Sequence, residues 1–409
     1  CVMYLPPMRV TLESNPYFCN RISKLGNCLS MDPAYLAVHR ICLAMTAFFL
    51  LFTLILFSVE YYTDPRTLIQ NGLWVVKFGL FFSLVLFTFF IPLEFSRIWM
   101  YIALLGTFIF VTIQLFFLLD LTKRWNSSWA SKAQATGQRR WFYIIFVVTI
   151  ILYVVSSIAI FIFYFFFTHS KHCRTNKMFT TMNLVLGVIA TLVSIHPKVY
   201  ECGLLQSSVA TAYTTYLTWS AVSYNPNEKC NPVAAYVSQV DMRPSLSVQA
   251  IVDLILLVML IIYFSIYAIP LTSTAKHLAK AYAKFVCRCK KLNKRHENLA
   301  KDPSEVSPLR QAIVLETEEG AHGVGVSNRD EEKVPYSYSG YHFVFLMASM
   351  HLAMILTNWY SPKDNSHIKL TMNWATMCIK MISSSFCMLL YIWSLVVPLL
   401  LHGWQKNSI

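Results

Sequence analysis

The chain has 409 residues, of which 56% are hydrophobic and only 13% charged, and it carries a net charge of +14. A soluble domain holds roughly 25% charged residues, so this composition excludes an ordinary soluble enzyme and fits an integral membrane protein. The positive charge is spread over loops between apolar runs rather than gathered on one basic face, which argues against nucleic acid as a partner.

In chain order, the opening CVMYL followed by PPM lacks an initiator Met and reads as the tail of an apolar helix. Most of one span would then precede residue 1; the alternative is an apolar terminus without consequence. Nine apolar runs near the roughly 20 residues that cross a hydrocarbon core follow. They lie at 36–59, 73–92, 98–119, 141–168, 178–196, 204–222, 246–271, 339–357 and 378–401. Alternating segments of about ten residues are absent, which excludes a β-barrel. Backbone groups in lipid need internal partners, so the runs are predicted to be helices. The fold class expected is all-α, a polytopic transmembrane bundle of about ten spans.

The expected organisation has an extracellular segment at 1–35 and spans with short loops over 36–271. A long cytoplasmic loop follows at 272–338, then the last two spans and a short tail at 339–409. Loops assigned alternately to two sides give 20 Lys+Arg on the side of 60–72, 120–140, 197–203, 272–338 and 402–409, against 11 on the other. The positive-inside rule makes the richer side cytoplasmic. Segment 272–338 opens as a basic, helix-like stretch suited to an anionic inner leaflet, or as a solvated continuation of the preceding span. Beyond Pro303 it turns acidic, with few apolar residues and no period, and reads as a disordered loop.

Cys19, Cys28, Cys173 and Cys230 fall on the expected outer side, where disulfides persist. Cys19 with Cys28 forms a local candidate bridge, and Cys173 with Cys230 a second. Cys287 and Cys289 lie beside basic residues just inside the membrane, a setting for palmitoylation or for plain free thiols. No C-x-x-C pair or His cluster has metal-ligand spacing, so no metal is expected. Gly-rich phosphate loops and nucleophile motifs are absent too, and neither a cofactor nor an enzyme is expected.

The run Cys202 to Tyr224, CGLLQSSVATAYTTYLTWSAVSY, is uncharged yet rich in hydroxyls. At 100° per residue Ser207, Thr211, Thr214 and Thr218 form a stripe about 60° wide, flanked by Ser208 and Thr215. The opposite side, with Val209, Ala212, Tyr216 and Ser220, reads as mostly apolar. Two readings stay open for the stripe. Small hydroxyl residues let helices pack closely, for about 0.6 kcal/mol per hydrogen bond; or the stripe lines a groove for a headgroup or small solute. Charges inside spans are scarcer and more informative. Arg40, Arg97 and Lys380 can snorkel, whereas Lys77 and Asp253 need a partner or water, and a Lys77–Asp253 pair is one candidate. Lys380 precedes the hydroxyl triplet Ser383, Ser384 and Ser385. His342 and His351, nine residues apart, fall on opposite sides of one helix and cannot share a site on it.

Several stretches together resemble the serine incorporator family. They are GLLQSSVATAYTTYLTWSA (203–221), TDPRTLIQNGLWVVKF (63–78), LTKRWNSSW (121–129) and CNP (230–232). VPYSYSGYHFVFLMASMHLAMILTNWY (334–360) and IKMISSSFCMLLYIWSLVVPLLL (379–401) complete the set, in order along nearly the whole chain. The resemblance implies ten helices in two subdomains joined by a long crossing helix, with lipid held in grooves between subdomains. It implies lipid handling: movement or scrambling of phospholipids such as phosphatidylserine between leaflets, or support of serine incorporation into phosphatidylserine and sphingolipids. The alternatives are a non-catalytic serine carrier or adaptor for lipid synthases, and a structural or virus-restricting membrane protein. The partners so implied are membrane phospholipids and sphingolipids, serine or lipid synthases, and a second copy of the chain, in the plasma membrane or an endomembrane. Gln206, Ser207, Ser208, Tyr213, Tyr216, Thr218, Trp219 and Ser220 match the signature helix. Lys77 and Lys380 match its intramembrane lysines, and Ser383, Ser384 and Ser385 its serine triplet. Asp253 has no counterpart in that pattern.

Overall fold

A computed structural model describes residues 33–169, 173–196, 203–232, 248–267, 334, 336–357, 359 and 374–406. Among them are ten α-helices. They are α1 (Pro33–Ile55), α2 (Thr67–Asn71), α3 (Trp74–Thr88), α4 (Leu93–Thr136), α5 (Arg140–Phe167), α6 (Arg174–Ile195), α7 (Leu204–Val222), α8 (Val248–Tyr267), α9 (Tyr338–Leu356) and α10 (Trp374–Lys406). The protein is an all-α polytopic bundle, and each of the nine expected runs lies on one of these helices. Cys19, Cys28, Cys287 and Cys289 lie outside the described residues, as do the opening CVMYL and nearly all of 272–338.

Seven of the helices are long and apolar enough to cross a membrane, and the apolar α3 is shorter. α7 is the exception that its neighbours explain. Fourteen of its residues, Leu205 to Val222, are buried, because α4, α5, α6 and α10 all pack against it. A helix so enclosed presents little surface to lipid, and its hydroxyls meet protein instead of hydrocarbon. α5, by contrast, turns most of its apolar side chains outward.

The packing divides into two groups that share one helix. α9 packs on α1, α4 and α8, and α1 packs on α3; α7 packs on α5, α6 and α10. α4 touches members of both. Its 44 residues span about 66 Å at 1.5 Å per residue, twice the roughly 30 Å hydrocarbon core, so it crosses obliquely or projects beyond. This corrects the expected boundaries at 93–97 and 120–140, which are helical through Thr136. Lys123 and Arg124 end the apolar run without ending the helix, since both are good helix formers.

Local chemistry fixes the ends. Beyond α1, the Arg66 guanidinium donates to the carbonyls of Ile55 and Phe57, at 3.1 Å and 3.0 Å, and so satisfies helix-terminal acceptors. Its Nη2 meets Asp64 Oδ2 at 2.6 Å, and the Arg66 hydrogen bond holds the Asp64 carboxyl below its ordinary range. At the other end of the α6–α7 pair, Cys173 and Cys230 are joined by a disulfide. Asn176 Nδ2 donates to the carbonyls of Phe167 and Cys230, and Asn225 Nδ2 to Asn176 Oδ1 at 2.8 Å. The end of α5, the start of α6 and the segment after α7 are thereby clamped by amides whose donors and acceptors are matched.

Candidate functional site

The least expected chemistry in the bundle is a buried ion pair. Lys380, on the second turn of α10, and Asp253, on the second turn of α8, keep 6% and 9% of their side-chain surface exposed. Lys380 Nζ lies 3.5 Å from Asp253 Oδ2 and donates to Ser220 Oγ at 2.6 Å. Asp253 Oδ1 accepts from Tyr216 Oη at 2.6 Å. The ammonium also sits 4.4 Å from the Trp359 ring centroid and 4.8 Å from that of Tyr224. Two buried charges cost several kcal/mol in lost hydration unless hydrogen bonds and geometry compensate. Here Ser220, Tyr216 and two aromatic faces supply that compensation.

The pair is placed by the fold. α7 and α10 belong to one group and α8 packs in the other, so Asp253 reaches across the division to both. Trp359 lies just beyond the C-cap of α9, Thr357, and adopts φ of +61°, a conformation bulky residues rarely take. Its N–H donates to Met354 O at 3.0 Å, folding the chain over the end of α9 and bringing the ring onto Lys380. Backbone strain of this kind persists only where the surroundings over-determine it.

A second layer of polar groups lies alongside. Gln114 of α4 accepts from Tyr213 Oη at 2.9 Å, while its Nε2 is buried with no partner among the described residues. His351 of α9 lies against Phe110 of α4, ring centroids 5.1 Å apart, and neither of its nitrogens has such a partner. Gly106 sets how closely α9 approaches α4 at this level: a Cβ there would lie 2.7 Å from Met350 Cβ.

The sequence-predicted residues divide among three places. Thr214, Thr218 and Ser384 meet between α7 and α10, where Ser384 Oγ donates to Thr214 O at 3.1 Å and lies 3.4 Å from Thr218 Oγ1. Thr211 faces α6, its Cγ2 3.3 Å from where a Gly187 side chain would begin. Asn183 Nδ2 of α6 donates to Thr215 Oγ1 at 3.2 Å. Ser208 bonds Leu205 O and Ser383 bonds Ile379 O, both local helical carbonyls. Gln206 Oε1, Ser207 Oγ and Thr211 Oγ1 are buried with no partner among the described residues. Ser385 is apart from these, partly exposed and 3.7 Å from Met182 Sδ. The stripe thus faces α6 and α10.

Lys77 lies elsewhere. It donates to Gln70 O at 2.8 Å and covers the Trp74 ring at 4.4 Å, near Gln70 Oε1, which meets His342 Nε2 at 2.8 Å. The candidate Lys77–Asp253 pair is therefore corrected: Asp253 pairs with Lys380. Tyr216 and Ser220, on the α7 side read as apolar, are the residues that complete the pair. Their polar tips were visible in the sequence, but their neighbours were not. His342 and His351 have separate surroundings, as their spacing requires. Among the described residues no group of His, Cys, Asp or Glu could hold a metal.

Comparison with known proteins gives one consistent answer. A sequence model described as Serine incorporator (Serinc) matches residues 1–403. The chain is 37% identical over 407 residues to a probable serine incorporator of Nematostella vectensis, covering 98% of this chain and 86% of the relative. It is 31% identical to serine incorporator 3 of Bos taurus over 434 residues, covering 98% and 88%. With serine incorporator 2 of Homo sapiens the identity is 33% over 388 residues, covering 90% and 79%.

Proposed function

The chain belongs to the serine incorporator family, and from that premise we propose that it moves phospholipid headgroups, phosphatidylserine among them, between leaflets without catalysing a reaction. The observation that supports this reading is the Lys380–Asp253 pair with Tyr216 and Ser220, set where α8 meets α7 and α10. A headgroup crossing bare hydrocarbon loses its hydrogen bonds at a cost of several kcal/mol. A path of lysine, carboxylate and hydroxyl groups lowers that cost, and a phosphate is a good acceptor for an ammonium. In the closed arrangement these groups satisfy one another. Parting α8 from α7 and α10 exposes them together, so the same residues seal the bundle and receive the headgroup.

The relatives' printed name favours a second reading, in which the site carries free serine to lipid-synthesising partners. Paired opposite charges 3.5 Å apart complement the ammonium and carboxylate of an amino acid. Purified protein in liposomes containing fluorescent phosphatidylserine separates the two. Dye in the inner leaflet becoming accessible to an external quencher, faster than in empty liposomes, is the expected result. A rate equal to empty liposomes, with saturable binding of labelled serine, overturns the first reading for the second.

A further inference from the structure

A groove of about 550 Å³ runs along the outside of α6, away from the charged junction, lined by Arg174, Lys177, Met178, Thr181, Met182, Val185 and Leu186. The lining recurs every three or four residues, so it forms one strip parallel to the helix axis. From residue 174 to 186 that strip is about 18 Å long at 1.5 Å per residue, close to the roughly 15 Å of hydrocarbon in one leaflet.

Polarity along the strip is divided. Arg174 and Lys177 occupy one end, both exposed, and neither has an ion-pair partner among the described residues. Thr181 comes next, its hydroxyl 2.7 Å from Tyr164 Oη of α5 and donating to Lys177 O at 2.7 Å. Below it the lining is Met182, Val185 and Leu186, and Ser385 of α10 closes the side against Met182 Sδ. The cationic end is the end of the helix, so it lies at headgroup depth when α6 spans the bilayer.

We infer that this groove retains one anionic phospholipid, its phosphate on Arg174 and Lys177 and one acyl chain along Met178, Met182, Val185 and Leu186. Two exposed cations one turn apart, without an ion-pair partner among the described residues, complement a headgroup of net negative charge, and an apolar floor one leaflet deep complements the chain. Methionine suits it because its flexible side chain adapts to a mobile chain. The site is separate from the junction and stands independently of the transport reading. It holds a lipid rather than passing one.

Native mass spectrometry of the full chain, released from membranes of equal phosphatidylglycerol and phosphatidylcholine, tests it. The wild type is expected to keep phosphatidylglycerol in preference. Each basic residue near a charged lipid surface is worth a factor of about five in affinity, so Arg174→Gln lowers phosphatidylglycerol occupancy about fivefold. Arg174→Gln with Lys177→Gln lowers it more than tenfold, leaving phosphatidylcholine adducts unchanged. Val185→Trp, which fills the exposed groove, is expected to remove the bound lipid with both cations still present. Equal retention of the two lipids by the wild type, or undiminished phosphatidylglycerol in the double variant, overturns the inference. Headgroup transfer rates measured on the same variants are expected to match the wild type, which keeps this result distinct from the transport assay.

Discussion

Lys380 Nζ lies 3.5 Å from Asp253 Oδ2, closing an ion pair between α10 and α8 that almost no solvent reaches. The two residues are 127 positions apart, and the pair joins helices of different groups. Removing one partner leaves the other charged and buried, at a cost of about 3–5 kcal/mol, whereas replacing both can be close to neutral. Asp253→Asn and Lys380→Met are each expected to lower the thermal unfolding midpoint in detergent sharply, and the double variant less than either. Additive losses would show that the two side chains act separately.

Tyr216→Phe removes the donor to Asp253 Oδ1, a 2.6 Å contact, while leaving the ring in place. Hydrogen bonds to charged groups contribute about 1.5–3 kcal/mol. The expected loss of that order disappears when Asp253 is already Asn. An equal loss in both backgrounds would assign the effect to ring packing.

How far the sequence discloses this site follows from what each residue type signals on its own. Apolar runs announce themselves because lipid tolerates little else, so each of the nine runs was legible as a helix. The ends of α4 were not, since Lys123 and Arg124 mark where lipid stops and helices tolerate them well. Asp253 stood out as a charge in a span, but a partner 127 residues away leaves no local trace. Tyr216 and Ser220 were legible as side chains and not as a site, because one polar tip on a helix acquires meaning only from what faces it. The hydroxyl stripe was visible as a stripe; that α6 and α10 cover it depends on the packing of four helices around α7.

Thr218 tests that covering directly. It is fully buried, with its hydroxyl bonded to Thr214 O at 2.8 Å and close to Ser384. Thr218→Val keeps the shape and is expected to cost about 0.6 kcal/mol, typical of a hydroxyl bond in a helical membrane bundle. Thr218→Leu overpacks the contact and is expected to cost about 1–3 kcal/mol. Thermal unfolding of the two measures this. A Leu variant as stable as the wild type would mean that the stripe meets open space.

Gly106 makes a parallel case at the α4–α9 crossing. A Cβ there clashes with Met350 Sδ and Cγ, which truncation of that side chain removes, and falls 2.7 Å from Met350 Cβ, which only helix displacement relieves. Gly106→Val is expected to lower stability by about 1–3 kcal/mol or more, and Met350→Ala in the same chain is expected to recover part of the loss. No recovery would place the strain elsewhere.

The Cys173–Cys230 disulfide shares its position with the clamp formed by Asn176 and Asn225. Its loss in Cys173→Ser with Cys230→Ser is expected to lower stability by about 2–4 kcal/mol, read as a lower unfolding midpoint. Reductant should lower the wild type to the same point and leave the variant unmoved. A variant that still responds to reductant would locate the sensitive bond at other cysteines.

On the proposed function, the residues sealing α8 against α7 and α10 also receive the headgroup. Asp253→Asn with Lys380→Met tests it best, because that double change is expected to fold while losing both charges. The measurement is fluorescent phosphatidylserine transfer in liposomes holding equal amounts of folded protein, with unfolding midpoints taken from the same preparations. The expected result is a midpoint near that of the wild type and transfer at least about tenfold slower. Wild-type transfer by a folded, charge-free double variant would contradict it.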